Sequence, residues 1–317
     1  VRVGQVEVVQ AGLRTGITAV VPYPPQVEER KLFIGRWAVD GGDILSGLGV
    51  AEDFGTFSSP VVLAPAPAKG RVYEALIQHG LARDPGLTTV AGWPPVVVGL
   101  DQATWGPALL VHQVVGQPHL DAAVGQAREG AVREGNAGIG AGLRAFGVKG
   151  GIGTSSRRVD AYLVGALVAA NGGSPRELRV DGYPIGNFLR AGQGEPQTFA
   201  AVVATDAPLI PGQLDRLAGR AALGLGRVGL LNAATREGLV LAFSTAGQAE
   251  EGPLEVGRMA TEKELYGLFA AAAQVAEEAV LNALLAAEPV EADGQRLATL
   301  PHSGWPEQTR RFQEQRR

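Results

Sequence analysis

Short apolar runs bounded by Gly and Pro recur along this chain, and almost none alternates strictly between apolar and polar residues. Residues 16–22, 32–39, 60–64 and 95–99 fall in the first third, and residues 161–168, 199–205 and 238–245 follow. A strand with one wet face reads as alternation; a strand apolar throughout has both faces covered. Helices on one or both outer layers would cover them, so the expected fold is layered α/β. Helices are predicted near residues 72–81, 213–223 and 262–287. The last is the clearest. Thr261 and Glu264 have capping-box spacing, and Leu265, Leu268, Phe269, Ala272, Val275, Ala279, Val280 and Leu284 recur at three- and four-residue steps. Residues 172–197 are polar, with Pro and Gly, and read as an exposed loop; the last dozen, from Glu307, read as frayed. No segment reads as a linker, so one domain over residues 1–317 is expected, long enough to bury a substantial core.

Composition narrows the chemistry. The formal net charge is −4 and no basic patch stands out, which makes nucleic acid and anionic membrane poor partners. There is no cysteine, which removes disulfides, thiolate metal sites and cysteine nucleophiles together. His79, His112, His119 and His302 lack metal-ligand spacing, so neither a metal nor a cofactor is expected. No run is read as approaching the ~20 apolar residues of a membrane span. Val1–Gln5 shows no hydrophobic signal core, and a cytoplasmic location is the expectation.

Two glycine motifs invite stronger readings. Gly224-Leu225-Gly226-Arg227-Val228-Gly229 has dinucleotide-loop spacing, but it follows a predicted helix rather than a strand. Lys149-Gly150-Gly151-Ile152-Gly153-Thr154-Ser155-Ser156-Arg157 lacks the Gly-Lys-Ser/Thr order of a phosphate loop. Its glycines suit either a tight turn or close approach of backbone amides to a substrate. A GxSxG nucleophile elbow is absent.

One hydroxyl remains conspicuous. The polar stretch Gly192-Gln193-Gly194-Glu195-Pro196-Gln197 runs into Thr198, the first residue of an apolar strand that closes on Asp206-Ala207-Pro208. A cut before Thr198 would give one residue both a hydroxyl and a free amine, the chemistry of an N-terminal nucleophile. The same threonine also fits as an ordinary strand residue.

Four segments together resemble the DmpA-type aminopeptidases, the family of L-aminopeptidase/D-esterases and β-aminopeptidases such as BapA, with the nylon-oligomer hydrolase NylC more distant. They are residues 146–157, residues 198–209, Leu241-Ala242-Phe243-Ser244-Thr245-Ala246, and residues 276–284, in the family's order. The resemblance implies a four-layer αββα sandwich, of the type shared with ornithine acetyltransferases. It implies a precursor that cuts itself into 1–197 and 198–317, with Thr198 as nucleophile. Asn171, closing its strand, matches an oxyanion-stabilising amide. Thr235 and Glu237 match a hydroxyl and a carboxylate beside the nucleophile, and Lys149 matches a nearby lysine of NylC-like members. The implied substrates are short peptides, amino-acid amides or esters with a free amino terminus, and the implied assembly is a homotetramer of αβ units. The sequence departs from the family in four respects: Gln197 stands where Gly or Asn commonly precedes the cut, Arg236 replaces a glycine, Asn232-Ala233-Ala234 replaces a more polar, Gly-bearing run, and the tyrosine some members use in the oxyanion hole has no matching position. The Gln197 departure keeps open an uncleaved, inert homologue with a binding or structural role. An acyltransferase of the ornithine acetyltransferase type is the other alternative.

Overall fold

The computed structural model describes residues 1–10, 12–22, 31–39, 45–87, 95–102, 106–189, 198–246, 259–292 and 295–301. Its larger sheet has six strands in the order β10 (Gly151–Val159), β11 (Tyr162–Ala170), β12 (Thr198–Thr205), β13 (Glu237–Ser244), β3 (Leu32–Val39) and β5 (Thr56–Phe57). The smaller has five, in the order β1 (Arg2–Gln10), β2 (Leu13–Val21), β6 (Val61–Pro65), β7 (Val96–Leu100) and β4 (Leu45–Ser46). Among the described residues two further strand pairs form: β8 (Arg144–Ala145) with β9 (Val148–Lys149), and β14 (Val290–Ala292) with β15 (Gln295–Leu297). Most pairings are antiparallel. β12–β13 and β6–β7 are parallel, and each crossover carries a helix.

Successive strand residues point to opposite faces, and this two-residue period sorts the apolar runs into layers. Between the sheets, Val20, Leu63, Val96 and Val98 meet Leu167, Ala200, Val202, Leu239, Leu241 and Phe243. On the far face of the larger sheet, Phe199, Ala201, Val203, Val240 and Ala242 pack on α5 (Pro211–Val228) and α6 (Glu262–Leu285). On the far face of the smaller one, Ile17, Ala19, Val62, Ala64 and Val97 pack on α2 (Lys69–Leu81), α3 (Ala108–Val114) and α4 (Gln117–Gly125). A short helix, α1 (Leu48–Phe54), leads into β5. The layers therefore run helix, sheet, sheet, helix, an αββα sandwich.

The predicted helix at 262–287 is α6. Its capping box forms as read: Glu264 N–H donates to Thr261 Oγ1 at 3.4 Å, and Thr261 N–H donates to Glu264 Oε2 at 2.8 Å. Replacing Thr261 by Ala removes the cap, worth about 1 kcal/mol, and should lower the thermal midpoint by roughly 2–4 °C. An unchanged melting curve would show that α6 is held by packing alone. Among the described residues α6 is the one helix long and apolar enough to cross a membrane by length and composition, which corrects the expectation that no run approaches a span. Its apolar face is spent inside the protein, on α5, β10 and β11.

The glycine motifs acquire structural reasons. Gly224 lies within α5, where a Cβ would overlap the Ala273 carbonyl oxygen of α6, so glycine lets the two helices touch. The dinucleotide-like spacing is thus the end of a helix. Gly153 lies in β10, where a Cβ would overlap the Ala279 carbonyl of α6. Gly153→Ala should push α6 off the sheet and cost roughly 1–3 kcal/mol or more, read as a fall in thermal midpoint or in soluble yield. Of the segment predicted as an exposed loop, residues 172–189 are described, and they bury Leu178 and Ile185. The stretch just before Thr198, and the tail from Glu307, lie outside the described residues.

Candidate active site

Thr198 opens β12, an interior strand of the larger sheet, and is almost fully buried. By strand parity it shares a face with Ala200 and Val202, the face turned toward the other sheet. The same parity applies on either side. Asn171 follows β11 in step with Leu167 and Ala169, and Glu237 leads Leu239 and Leu241 on β13. Thr198 and Glu237 are register partners in the parallel pair. Alternation therefore sets Asn171, Thr198 and Glu237 in one row at the end of the space between the sheets, neighbours by strand spacing of about 4.8 Å.

Asn171 is 1 % exposed, and its amide is fully engaged. Oδ1 accepts the Arg144 N–H at 3.2 Å. Nδ2 donates to Thr198 Oγ1 at 3.0 Å, to the Thr198 carbonyl at 3.1 Å and to the Asp101 carbonyl at 2.8 Å. Only one orientation of the amide satisfies these partners, because Arg144 N–H is a donor and the three oxygens accept. The carboxamide NH2 thus faces the threonine hydroxyl. An oxygen bonded to a carbon attacked by Oγ would form within reach of the same NH2 group.

Arg144 belongs to the β8–β9 hairpin, which lies beside the Asn171–Gly172 backbone. Gly172 N–H donates to the Arg144 carbonyl at 2.8 Å, and Phe146 N–H to the Gly172 carbonyl at 2.9 Å. The hairpin turn has positive φ at both central residues, Phe146 (52°) and Gly147 (75°). Such a two-residue turn pairs Arg144 with Lys149 across the hairpin. A bulky side chain at positive φ is strained; Phe146 is held there by complete burial.

Lys149 is also fully buried. Its Nζ donates to the carbonyls of Gly140 (2.6 Å), Leu143 (3.0 Å) and Gly150 (2.7 Å). Burial, with a smaller contribution from the charge of Arg14, pushes its pKa down to about 7. The three carbonyls take one ammonium proton each, which leaves none for Thr198. Thr235 is buried two residues before Glu237, but its hydroxyl is used in a turn. It accepts from Asn232 N–H at 3.0 Å and donates to the Leu230 carbonyl at 3.4 Å. Of the five residues singled out from sequence, the structure brings Asn171 and Glu237 to Thr198, while Lys149 and Thr235 bond to backbone nearby. Sequence reasoning did not find the Arg144 N–H or the Asp101 carbonyl.

Among the described residues no group of three or more His, Asp or Glu side chains is placed to hold a metal ion. His79, the first of the sequence's four histidines, sits at 3.3 Å from Asp121 Oδ1, away from this site.

The family model of peptidase family S58 matches residues 1–297 of this chain. The chain belongs to peptidase family S58. Within it, this S58 peptidase is 32 % identical over 319 residues to the β-peptidyl aminopeptidase BapA of Sphingosinicella xenopeptidilytica, an alignment covering 91 % of this chain and 77 % of the relative. The L-aminopeptidase D-Ala-esterase/amidase of Ochrobactrum anthropi, a serine aminopeptidase with a variant of the Ntn hydrolase fold, superposes with a TM-score of 0.89 at 30 % identity, covering 98 % of this chain and 92 % of that one. A β-aminopeptidase from a Burkholderia species gives a TM-score of 0.84 at 32 % identity, covering 95 % and 88 %. The whole S58 sandwich, both sheets and both helix layers, is shared with these neighbours.

Proposed function

We propose that this S58 peptidase is a self-processing aminopeptidase in which Thr198 is the nucleophile and, once freed, its own base. The observation that carries the reading is the Asn171 NH2 group 3.0 Å from Thr198 Oγ1, at the first residue of a buried strand. Family membership supplies the reaction class, and the aminopeptidase relatives supply the substrate class.

In the precursor, Thr198 Oγ adds to the Gln197 carbonyl carbon. The C–N bond to Thr198 breaks, its nitrogen takes the hydroxyl proton, and Gln197 is left as an ester on Oγ. Water hydrolyses that ester, releasing the Gln197 carboxylate and a free Thr198 amine. An α-amine titrates near pH 7.7–8.0, so much of it is unprotonated and available as a base around neutrality. In the mature enzyme this amine takes the proton from Oγ as Oγ attacks the amide or ester carbon of a short peptide, amino-acid amide or ester. The proton passes to the leaving amine or alcohol, and water then clears the acyl-Thr198.

Asn171 donates to the oxygen that becomes negative in each tetrahedral intermediate. Glu237, the register partner of Thr198, favours the ammonium form of the Thr198 amine that arises during attack, as a carboxylate beside a developing positive charge does. Assembly as a homotetramer of αβ units is part of the same proposal and is checked by light scattering.

Denaturing mass spectrometry of the purified protein tests the reading. Fragments 1–197 and 198–317, together with release of free amine from aminoacyl anilides, are the expected result. An intact chain without hydrolysis would favour the inert homologue.

A further inference from the structure

Lys149 buries an ammonium completely, and its protons go to three backbone carbonyls rather than to a reacting atom. Burying a charge is costly unless it is fully hydrogen-bonded, so a local purpose for it is worth seeking. One of the three carbonyls, Leu143 O, belongs to the same peptide unit as the Arg144 N–H. That N–H is the group bonded to Asn171 Oδ1. A peptide unit is planar, and its C=O and N–H turn together. We infer that Lys149 sets which way the Asn171 amide faces, acting through the Leu143–Arg144 peptide and not by contact with Thr198. The inference rests on the roles given to Thr198 and Asn171 above.

The chain of contacts is short. Lys149 Nζ and Gly150 N–H hold the Leu143 carbonyl at 3.0 and 3.1 Å. The opposite end of that peptide then presents N–H to Asn171 Oδ1 at 3.2 Å. With Oδ1 pinned, Nδ2 must face Thr198 Oγ1. Nζ also gathers the Gly140 and Gly150 carbonyls, so it ties both flanks of the hairpin to the glycine-rich turn at Gly138–Gly142. Without the ammonium, one N–H holds the Leu143 carbonyl, the Gly140 carbonyl keeps only the Leu143 N–H at 3.2 Å, and the Gly150 carbonyl loses its Lys149 donor. A peptide that turned over would aim its carbonyl at Asn171 and draw the NH2 group off the nucleophile. Lys149 is therefore a positioning residue for the oxyanion donor.

A double-mutant cycle on the full chain tests this, with the rate of self-cleavage as readout. Lys149→Met should slow cleavage by about 100-fold, the order expected for losing one oxyanion donor. In an Asn171→Ala background the same change should slow it no further than about twofold, because the group it positions is gone. Losses that multiply, or a Lys149→Met chain that cleaves at the parent rate, would overturn the inference. Should Lys149→Met be insoluble, Lys149→Gln keeps two N–H donors and runs through the same cycle. A crystal structure of the variant precursor gives an independent reading. Asn171 Nδ2 turned away from Thr198 Oγ1 supports the inference, and an unmoved amide sinks it. Cleavage persisting in Thr198→Ala would instead remove the underlying reading, so the two failures are distinguishable.

Discussion

Thr198→Ala is expected to yield one continuous 317-residue polypeptide with no measurable aminopeptidase activity. Both steps of the proposed chemistry use the same oxygen. Without it, the Gln197–Thr198 bond has no internal nucleophile, the Thr198 amine is never released, and base and nucleophile vanish together. Loss of a nucleophile in enzymes that work through a covalent acyl intermediate costs on the order of 10⁴- to 10⁶-fold. The fold should tolerate the change. Thr198 lies in a row whose next inward residues are Ala200 and Val202, so a methyl group suits the site. What is lost locally is one hydrogen bond from Asn171 Nδ2, which keeps its Asp101 and Thr198 carbonyl partners. Thr198→Ser keeps the hydroxyl and should retain both cutting and hydrolysis within about tenfold, the scale of a lost methyl contact. Mass spectrometry and a melting curve, run side by side, separate loss of chemistry from loss of structure. A Thr198→Ala chain that still splits, or still hydrolyses substrate, ends the assignment.

How far the sequence revealed this arrangement varies by element, for physical reasons. β3 is read as residues 32–39 and forms as Leu32–Val39; β12 and β13 fall within one residue of their predicted runs. β12 and β13 are buried on both faces, so their composition announces them, and β3 shows in its apolar run although its second half is only half-buried. β10, Gly151–Val159, read as a turn or a phosphate-like loop because it is an edge strand whose outer half is polar and whose glycines look like punctuation. Gly153 instead admits α6, and Gly151 lets the Gly135 backbone approach. β1 went unread as a strand because Gly4, Gln5 and Glu7 break its apolar run. The helices α3 and α4, seven and nine residues long, are too short to show a period. α5 runs five residues beyond its predicted end, since packing of Gly224 against α6 outweighs the weak helix propensity of glycine.

The site divides in the same way. Thr198 and Asn171 stand at strand ends, and a strand end is legible. Glu237 came from resemblance, and register then put it beside Thr198. The groups that orient Asn171 are a main-chain N–H at Arg144 and a main-chain carbonyl at Asp101, and every residue has both. No side chain marks them, so they emerge only when the chain is folded. Thr235 and Lys149 carry the converse lesson. Their residue types suited direct contact with the nucleophile, yet each satisfies backbone groups instead.

Removing the Asn171 carboxamide is the second large effect. Asn171→Ala should lower both self-cleavage and kcat/KM by about 100- to 1000-fold, the usual loss for one oxyanion donor. The loss should fall on kcat with KM nearly unchanged, because the donor acts on charge that exists only in the transition state. Asn171→Asp discriminates further. It preserves the shape and still accepts the Arg144 N–H, but it replaces the NH2 group with a second acceptor. A carboxylate oxygen would then face the Thr198 and Asp101 carbonyls, and a developing oxyanion would meet a carboxylate. Asn171→Asp should therefore be slower than Asn171→Ala, although it fills the space better. A site where Asn171 only fills space predicts the opposite order. Stability is the control. Asn171→Ala leaves the buried Arg144 N–H without its side-chain partner, at a cost of roughly 1–3 kcal/mol, and takes a donor from the part-buried Asp101 carbonyl. Activities are thus compared at a temperature where melting curves show both variants folded. Rates within tenfold of the parent for both would take Asn171 out of the oxyanion role and leave that task to backbone amides.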